Sequence, residues 1–462
     1  MGRQSQPAPL VAGARPGPIA ASLETNYWKY FSLIVAAAFF LRLACFTGLI
    51  GSDDLAYSRY AQLVAQFRYK PELSQFALRF GVIVPVGIIY KLFGIAEWTT
   101  ILAPLLASTA SVGMLILAGR NLFGSQAALL AGILLATFPA DIRYATILVP
   151  EPIAGAFILA AVLTYLYWGT GYPVGAGLVC GLLIGIAYLT KEPSLFVAPA
   201  LMIDALVRRQ WRVFFGIAAG VLLIVGLEHT YYLIATGDLM FRPHAMAQHN
   251  SSSYMFNVNQ HLRWRLFEAY PKIMLTPATA FGVHSLFAIV LAVIGIFLMK
   301  SEKWRLPVLW AAVPWIYLNF GTSSLTHYWA LPAGDRYLLS IYPPLFLLSA
   351  AALTFLNSVR SRTTLLRIAF GIVVGSGICC GFLSRGRGWR TGIVKELRVV
   401  AHEARSRKSR TVVVEGDTSH TWAPILAILD HDLRPSSGSE PPDLVVGPDA
   451  SGQPNVMSAS KP

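Results

Sequence analysis

Two adjacent carboxylates, Asp53 and Asp54, directly follow the first long apolar stretch of this sequence of 462 residues. Carboxylates at the end of a membrane-length segment are poor lipid anchors, and residues 54–67 have the pattern of an amphipathic surface helix. A carboxylate placed there can act as a general base on a hydroxyl group. The alternative is structural, because aspartate is a favoured helix N-cap and suits a first helical turn. Asp53 is therefore the first candidate for chemistry, with capping as the competing interpretation.

Cations elsewhere in the chain would suit a phosphate group. Phosphate chemistry needs positive charge near the leaving group, because negative charge develops there in the transition state. Arg79, Lys191 and Arg336 are the candidates, and arginine can hold phosphate oxygens through two parallel hydrogen bonds. The alternative for Lys191 is snorkelling from a helix end towards the membrane surface.

A second acidic residue, Glu151, could bind a hard divalent cation such as Mg²⁺ or Mn²⁺ shared with the phosphate, because such ions prefer carboxylate oxygens, and Asp53 is a candidate second ligand. The alternative is a helix start, since Pro152 follows it. Histidines of the long loop 236–280, among them His244 and His249, are typical of an exposed loop, and their spacing is not a zinc pattern. Secondary candidates for the same site are Asp54, Tyr57, Arg59, His327 and Asp335.

The elements that must position these side chains are membrane helices. The chain is 55% hydrophobic and only 13% charged, about half the charged share of a soluble protein. The net charge of +14 fits basic cytosolic loops, and no basic stripe with interleaved aromatic residues indicates a nucleic-acid partner. The four cysteines fall in predicted spans and have no disulfide or metal-binding spacing. These features indicate an all-α polytopic membrane protein.

Charge bias between loops predicts about eleven spans, with a range of 11 to 13, each supplying enough apolar residues to cross the bilayer. This count requires that residues 77–94, interrupted by Pro85 and Gly87, do not cross. All the polar clusters above then lie on the outer face. Arg42, inside the first span, should pair with a carboxylate, face a polar cavity or snorkel. The predicted spans are 28–49, 98–118, 125–138, 152–168, 175–190, 193–207, 213–235, 281–299, 306–320, 337–357 and 368–384.

The two ends of the chain read differently from its middle. Residues 1–27 are rich in Pro, Gly, Ala and Ser and predict a disordered cytosolic tail before the transmembrane domain, 28–384. Residues 385–462 predict a small, partly disordered α/β appendage, with strands near 412–414 and 444–446 and a helix at 421–429. Nine Lys or Arg at 385–410 favour the cytosol, but the charge rule weakens for long segments, so we expect this tail outside.

Several short motifs, in this order, resemble those of a known family. Residues 52–57 (SDDLAY) resemble the first-loop acidic motif of the C-type (GT-C) membrane glycosyltransferases, in the branch of the protein O-mannosyltransferases and the lipid A aminoarabinose transferase. Residues 77–94, with Arg79, resemble the next block. The remaining matches are Phe138 and Pro139 followed by Glu151 and Pro152, then 188–193 (YLTKEP) and 335–344 (DRYLLSIYPP).

This resemblance implies a GT-C helix bundle with surface helices in the first outer loop. It implies a polyprenyl-phosphate-linked sugar donor, such as an undecaprenyl-phosphate sugar, and displacement with inversion at the anomeric carbon. By the same likeness Asp53 is the catalytic or metal-binding carboxylate, Glu151 the second acidic residue and Arg336 a contact to the donor phosphate. The expected acceptor is a lipid or cell-envelope glycan, with the site facing the periplasm of a bacterial inner membrane.

Two other classes of protein stay open at this point. A secondary transporter of lipid-linked or amphiphilic sugars would place charges near the bilayer midplane on broken helices and would often have two related halves. A non-catalytic scaffold of an envelope assembly is the other alternative. Here the charges gather at one surface and no internal repeat is evident, and release of free carrier from a bound lipid-phosphate sugar would distinguish an enzyme from both.

Overall fold

A computed structural model describes residues 24–252, 270–276, 281–298, 302–322, 328, 330–331, 333–359, 363–387, 391–407, 409–414, 419–430, 433–435, 443–448 and 454–458. Its larger part is a helix bundle. The helices of the first half are α1 (Tyr27–Ala44), α2 (Asp53–Ala65), α3 (Phe80–Phe93), α4 (Glu97–Phe123), α5 (Ser125–Ala136), α6 (Pro139–Tyr144), α7 (Pro150–Trp168) and α8 (Pro173–Thr190). Those that follow are α9 (Val197–Val207), α10 (Trp211–Thr236), α11 (Phe241–Ser252), α12 (Tyr270–Leu275), α13 (Gly282–Leu298), α14 (Arg305–Phe320), α15 (Tyr342–Val359) and α16 (Thr363–Leu383). Short 3₁₀ turns occupy Glu192–Phe196, Glu302–Trp304 and Asp335–Ser340.

Six of the described helices are long and apolar enough to cross a membrane: α1, α4, α7, α8, α10 and α16. Shorter apolar helices lie at α3, α5, α13 and α15. Each predicted span coincides with a described helix, which confirms an all-α integral membrane protein. Helix α1 ends at Ala44, before the predicted limit of 49, because a loop with Gly48 and Gly51 at positive φ begins there. That loop delivers the start of α2.

Helix α3 is continuous although Pro85 lies inside it, so the interruption expected there is not observed. The start of α3 packs tightly on the end of α8, because a Cβ on Gly81 would lie only 1.9 Å from the hydroxyl oxygen of Thr190. Glycine at 81 therefore permits an approach that any side chain would block. This contact places the residues just before α3 beside the residues just after α8.

Arg42 is fully buried and forms an ion pair with Asp141, and Ser108 donates to the same carboxylate at 2.6 Å. Arg42 Nε also donates to Ser108 at 2.6 Å. The pairing expected for an arginine inside a span is therefore present. Asp141 therefore serves this internal pair.

The C-terminal part is a small α/β unit. Helix α17 (Thr391–Arg407) and α18 (Ser419–Leu429) accompany the strands β1 (Thr411–Val414), β2 (Arg434–Pro435), β3 (Leu444–Pro448) and β4 (Pro454–Ser458). The strand order is β2-β1-β3-β4, with β1 parallel to both neighbours and β4 antiparallel to β3. The two predicted strands and the predicted helix are observed, whereas α17, β2 and β4 were not predicted.

Helix α17 attaches this unit to the helix bundle. Its buried Val394, Leu397, Val400, Ala401 and Ala404 follow helical spacing and share a core with Leu49, just before α2. Arg398 of α17 forms an ion pair with Glu97, the first residue of α4. The α/β unit therefore packs at the end of the bundle where α2 begins.

Candidate active site

Asp53 and Asp54 begin α2, but they do different things. The carboxylate of Asp54 accepts hydrogen bonds from the backbone N–H groups of Ile50 (2.8 Å), Gly51 (3.2 Å) and Ser52 (2.6 Å), and its side chain is fully buried. Asp54 thus shapes the loop before α2; this differs from the helix capping weighed for the pair, because no side chain caps α2. The side chain of Asp53 is 22% exposed, so it is the one that an incoming group can reach.

Arg336 lies between the two candidate acids. Its NH2 donates to Asp53 Oδ2 at 2.7 Å, and its Nε lies 3.4 Å from Glu151 Oε1. The backbone at Arg336 is held by Asp335. Asp335 Oδ1 accepts from the Arg336 N–H at 2.7 Å and from the Tyr144 hydroxyl at 3.0 Å. Residues nearly 300 positions apart in the chain therefore meet at one place.

Lys191 completes this contact from the other side. Glu151 lies in the first turn of α7 and Lys191 directly follows α8; the two buried side chains form an ion pair. The Lys191 ammonium also lies 3.8 Å from the ring centre of Tyr337, a cation–π contact. Burial lowers the pKa of Lys191 to about 7; Arg336 and Arg79 add to the lowering, and Glu151 opposes it.

Arg79 is the N-terminal flanking residue of α3, next to Lys191 because Gly81 packs on Thr190. Its buried guanidinium donates to the hydroxyl oxygen of Tyr57 and, at 3.1 Å, to the side chain of Gln75. Its NH2 lies 3.7 Å from Glu192 Oε2. Arg79 therefore lies beside the cluster of Asp53, Glu151, Lys191 and Arg336. Its positive charge helps to lower the pKa values of Glu151 and Lys191.

A cavity of about 540 Å³ is lined in part by residues close in sequence to two of these cations. Phe80, which follows Arg79, and Leu189, which precedes Lys191 by two residues, both line it. Its other apolar walls are Val64 of α2, Phe67 just after α2, Val84 of α3, and Ile224 and Leu227 of α10, whereas Tyr69, Tyr231 and the carboxylate Glu228 are its polar lining. The size and the mainly apolar walls of this cavity suit an apolar chain.

The remaining predicted residues lie apart from this centre. Arg59 is an exposed side chain on α2 that pairs with Glu72 at 3.4 Å, so it is not brought to the site. His244 pairs with Asp238 at the surface, at 2.7 Å. His249 lies closer: its ring is 6.1 Å from that of Phe76, and burial lowers its pKa, with Arg79 adding to the effect. His327 lies outside the described residues.

The acidic pair does not fit the divalent ion expected for it. Asp53 is already engaged by Arg336, and Glu151 by both Arg336 and Lys191. Two carboxylates with cations already on them give a hard metal ion too few oxygens and place it against like charge. Among the described residues, no group of three or more His, Cys, Asp or Glu could hold a metal ion.

Sequence reasoning missed several members of this environment. Tyr337 stood in a recognised motif without a role, and Gln75 carried no signal at all. Arg242, at the start of α11, was not considered, although it is the most extensively bonded of them. Arg242 lies seven residues after the predicted span 213–235 and two before His244, a position that gives no periodic signal; only the fold reveals its partners.

Comparison with known proteins agrees with this architecture. Residues 85–232, about a third of the chain, match the family model of dolichyl-phosphate-mannose-protein mannosyltransferase. No curated protein matches the sequence significantly.

Solved structures are similar over most of the chain. ArnT from Cupriavidus metallidurans, bound to undecaprenyl phosphate, superposes with a TM-score of 0.60 at 16% identity, covering 92% of this chain and 94% of that one. The archaeal oligosaccharyltransferase AglB from Archaeoglobus fulgidus, in complex with an inhibitory peptide and a dolichol-phosphate, gives 0.57 at 12%, covering 88% of this chain and 64% of AglB. The same archaeal enzyme complexed with Zn and sulfate gives 0.57 at 13%, covering 88% and 62%. The resemblance to the C-type membrane glycosyltransferases is thus confirmed, and the chain has their fold.

Proposed function

We propose that this protein is an inverting glycosyltransferase of a bacterial inner membrane. It moves one sugar from a polyprenyl-phosphate carrier to a lipid or cell-envelope glycan on the periplasmic side. The observation that carries the proposal is the position of Arg336, which contacts Asp53 at 2.7 Å and Glu151 at 3.4 Å while Lys191 pairs with Glu151. The undecaprenyl phosphate in the ArnT structure and the dolichol-phosphate in the AglB structure support a carrier of that chemical class.

The donor phosphate binds Arg79, Lys191 and Arg336. A phosphodiester carries one negative charge, and three buried or half-buried cations around it supply charge-assisted hydrogen bonds. The polyprenyl chain enters the apolar cavity lined by Phe80 and Leu189, the chain neighbours of Arg79 and Lys191. The sugar, attached to the phosphate that Arg336 binds, then lies close to Asp53, which Arg336 contacts.

Asp53 is the general base. Its carboxylate takes the proton from the acceptor hydroxyl as that oxygen bonds to the anomeric carbon, and the bond from that carbon to the phosphate oxygen breaks with its electron pair leaving on the carrier phosphate. Arg336 binds Asp53 before the donor arrives. A phosphate competes for the same guanidinium, so donor binding frees Asp53 to accept the proton.

Glu151 orients the cations. Held by Lys191 and Arg336, it keeps both groups in place until the phosphate arrives, and it limits the repulsion between them. Arg336 and Lys191 neutralise the leaving phosphate by themselves, in the place where a divalent ion would otherwise act.

The test is turnover by the purified protein in lipid nanodiscs. Wild type should release free polyprenyl phosphate from a polyprenyl-phosphate sugar when acceptor lipids are present, with inverted anomeric configuration in the product. Asp53→Asn should lower kcat by about 10²–10⁴-fold without changing the melting temperature. Asp238→Asn, a matched change at an exposed outer acid, should act as wild type.

Two results would contradict the proposal. Full activity of Asp53→Asn would remove the proposed base. Passage of intact donor across proteoliposomes without release of free carrier would instead favour a transporter. Mass spectrometry of envelope glycolipids from cells with and without the protein would then identify the sugar and its acceptor.

A further inference from the structure

Arg242 is a buried arginine that belongs to none of the proposed catalytic or phosphate-binding groups. It lies in the first turn of α11, and its side chain is 4% exposed. Its Nε donates to Glu228 at 2.7 Å, its NH1 to Glu192 at 2.7 Å, and its NH2 to the carbonyl oxygen of Leu78 at 2.7 Å. Every guanidinium nitrogen therefore has a partner.

The partners of Arg242 come from three separate parts of the chain. Glu228 lies on α10, Glu192 follows α8, and Leu78 precedes α3. The guanidinium also lies 4.7 Å from the ring centre of Tyr188, near the end of α8. A single side chain thus joins the outer ends of α8 and α10 to the segment before α3.

Two of these partners are immediate neighbours of the phosphate-binding cations in the sequence. Leu78 is followed by Arg79, and Glu192 is preceded by Lys191. Glu192 divides its carboxylate, with Oε1 on Arg242 and Oε2 lying 3.7 Å from Arg79. Arg242 itself makes none of the contacts that join Asp53, Glu151 and Arg336.

We infer that Arg242 is a positioning residue: by holding Leu78 and Glu192, it fixes Arg79 and Lys191 at the separation that a carrier phosphate requires. The inference rests on the proposed function, since it assigns these two cations to the donor phosphate. A small misplacement of such groups is costly, because affinity for an anion depends on preformed geometry.

Arginine is needed here rather than any cation. The three hydrogen bonds leave the guanidinium in three directions, which matches its rigid fork of five donors. Lysine has a single nitrogen and cannot reach Glu228, Glu192 and the Leu78 carbonyl in the same geometry. The buried carboxylate of Glu228 also loses its ion-pair partner when residue 242 is neutral, whereas Glu192 keeps Arg79 at 3.7 Å.

The experiment compares Arg242→Lys, Arg242→Gln and Glu228→Gln in the full-length protein in nanodiscs. One readout is the dissociation constant of undecaprenyl phosphate. The other is the rate at which an amine-reactive acylating reagent modifies Lys191, followed against pH by peptide mass spectrometry. This second readout needs no substrate: because Lys191 is only 5% exposed, the acylation rate reports access to its amine, and the pH midpoint reports the charge around it.

Arg242→Gln should weaken binding of the carrier phosphate about tenfold or more and raise the pH midpoint of Lys191 acylation. Arg242→Lys keeps the positive charge, so any rise of the midpoint in that variant reflects lost positioning alone. It should fold and still lose affinity, which keeps the test intact if Arg242→Gln does not fold. Glu228→Gln, which removes one anchor of Arg242, should shift both readouts in the same direction by less.

Arg305→Gln is the matched control. Arg305 pairs with the fully buried Asp204 at 2.8 Å, away from the site, so its loss should lower the melting temperature without moving either readout. Wild-type affinity and midpoint in both Arg242 variants would overturn the inference, as would an equal shift in Arg305→Gln. If wild type binds no carrier phosphate, the proposed function fails, while the Lys191 profiles still decide whether Arg242 positions that lysine.

Discussion

Lys191 is the cation of the site whose charge depends most on pH. Because burial, Arg336 and Arg79 lower its pKa to about 7 despite Glu151, half of the molecules lose this charge near neutral pH when no anion is bound. A phosphate beside it favours the ammonium form, so binding takes up a proton once the pH exceeds this value. We therefore expect donor affinity to fall as the pH rises from 6 to 9.

Lys191→Arg isolates this effect, since arginine stays charged over the whole range. A phosphodiester analogue of the donor has no ionisation between these pH values, so its dissociation constant reports the protein alone. Wild type should lose affinity by about tenfold for each pH unit above the midpoint, whereas Lys191→Arg should vary little. Parallel pH profiles for the two proteins would show that Lys191 does not bind the phosphate.

Chelators should not affect turnover. Glu151 stays paired with Lys191 even when the donor phosphate draws Arg336 from Asp53, so one free carboxylate is too few ligands for a hard ion. Activity in excess EDTA should equal that in added Mg²⁺ or Mn²⁺, measured as release of free carrier phosphate. A loss of activity in EDTA that either ion restores would mean that the carboxylates leave their cations to bind metal.

The two aspartates illustrate what the sequence can and cannot give at this scale. Residue type and position make both aspartates candidates, but nothing in residues 52–55 (SDDL) indicates which one binds the loop backbone. That choice depends on three backbone N–H groups at 50–52 pointing at Asp54, a consequence of the loop conformation after α1. The environment of Arg42 was easier to predict. A buried cation in a span has few stable arrangements, and an ion pair with a carboxylate is one of them.

Among the elements, the pair α8 and α10 sets the position of Lys191. A Cβ on Gly177 would lie 2.5 Å from the Val213 carbonyl oxygen, and one on Gly181 would lie 2.2 Å from that of Ile217. Small residues at this spacing let two helix backbones approach closely in a membrane. Since Lys191 directly follows α8, its distance from α7 depends on this contact.

Gly181→Ala should therefore force α8 and α10 apart, because the atom it meets is backbone and cannot turn aside. Overpacking of this kind costs about 1–3 kcal/mol, which should appear as a lower melting temperature in detergent and a weaker affinity for the carrier phosphate. Gly175→Ala is the control on the same helix, where a Cβ meets nothing within 4 Å. Equal stability of the two variants would contradict the role given to this contact.

Element positions were predictable where hydropathy decides them. The eleven predicted spans coincide with helices because runs of apolar residues in a membrane have no other stable backbone. Pro85 misled the prediction for α3, since its missing hydrogen bond is tolerated inside a packed helix. Helix α17 was not predicted, because its basic residues were interpreted only as a charge signal. Its apolar Val394, Leu397, Val400 and Ala401 nevertheless follow helical spacing.

At the scale of the whole molecule, the C-terminal unit lies at the same membrane face as the site. Its core includes Leu49 at the entry to α2, and Arg398 pairs with Glu97 at the start of α4. Glu151, at the start of α7, and Asp53 lie at the same end of the bundle. The other end of α7 is about 28 Å away, because the helix has 19 residues with a rise of 1.5 Å each. Site and C-terminal unit must therefore share one side.

Cysteine labelling in intact cells tests this arrangement. Lys70→Cys lies after α2, Ser406→Cys on the C-terminal unit and Thr170→Cys just past the far end of α7, and all three side chains are exposed. A membrane-impermeant thiol reagent should modify the first two alike and the third only after permeabilisation. If Ser406→Cys were modified only after permeabilisation, the bilayer would lie between the C-terminal unit and Asp53. That result would contradict the Arg398–Glu97 pair, whose members the fold holds in contact, and the periplasmic placement of the tail.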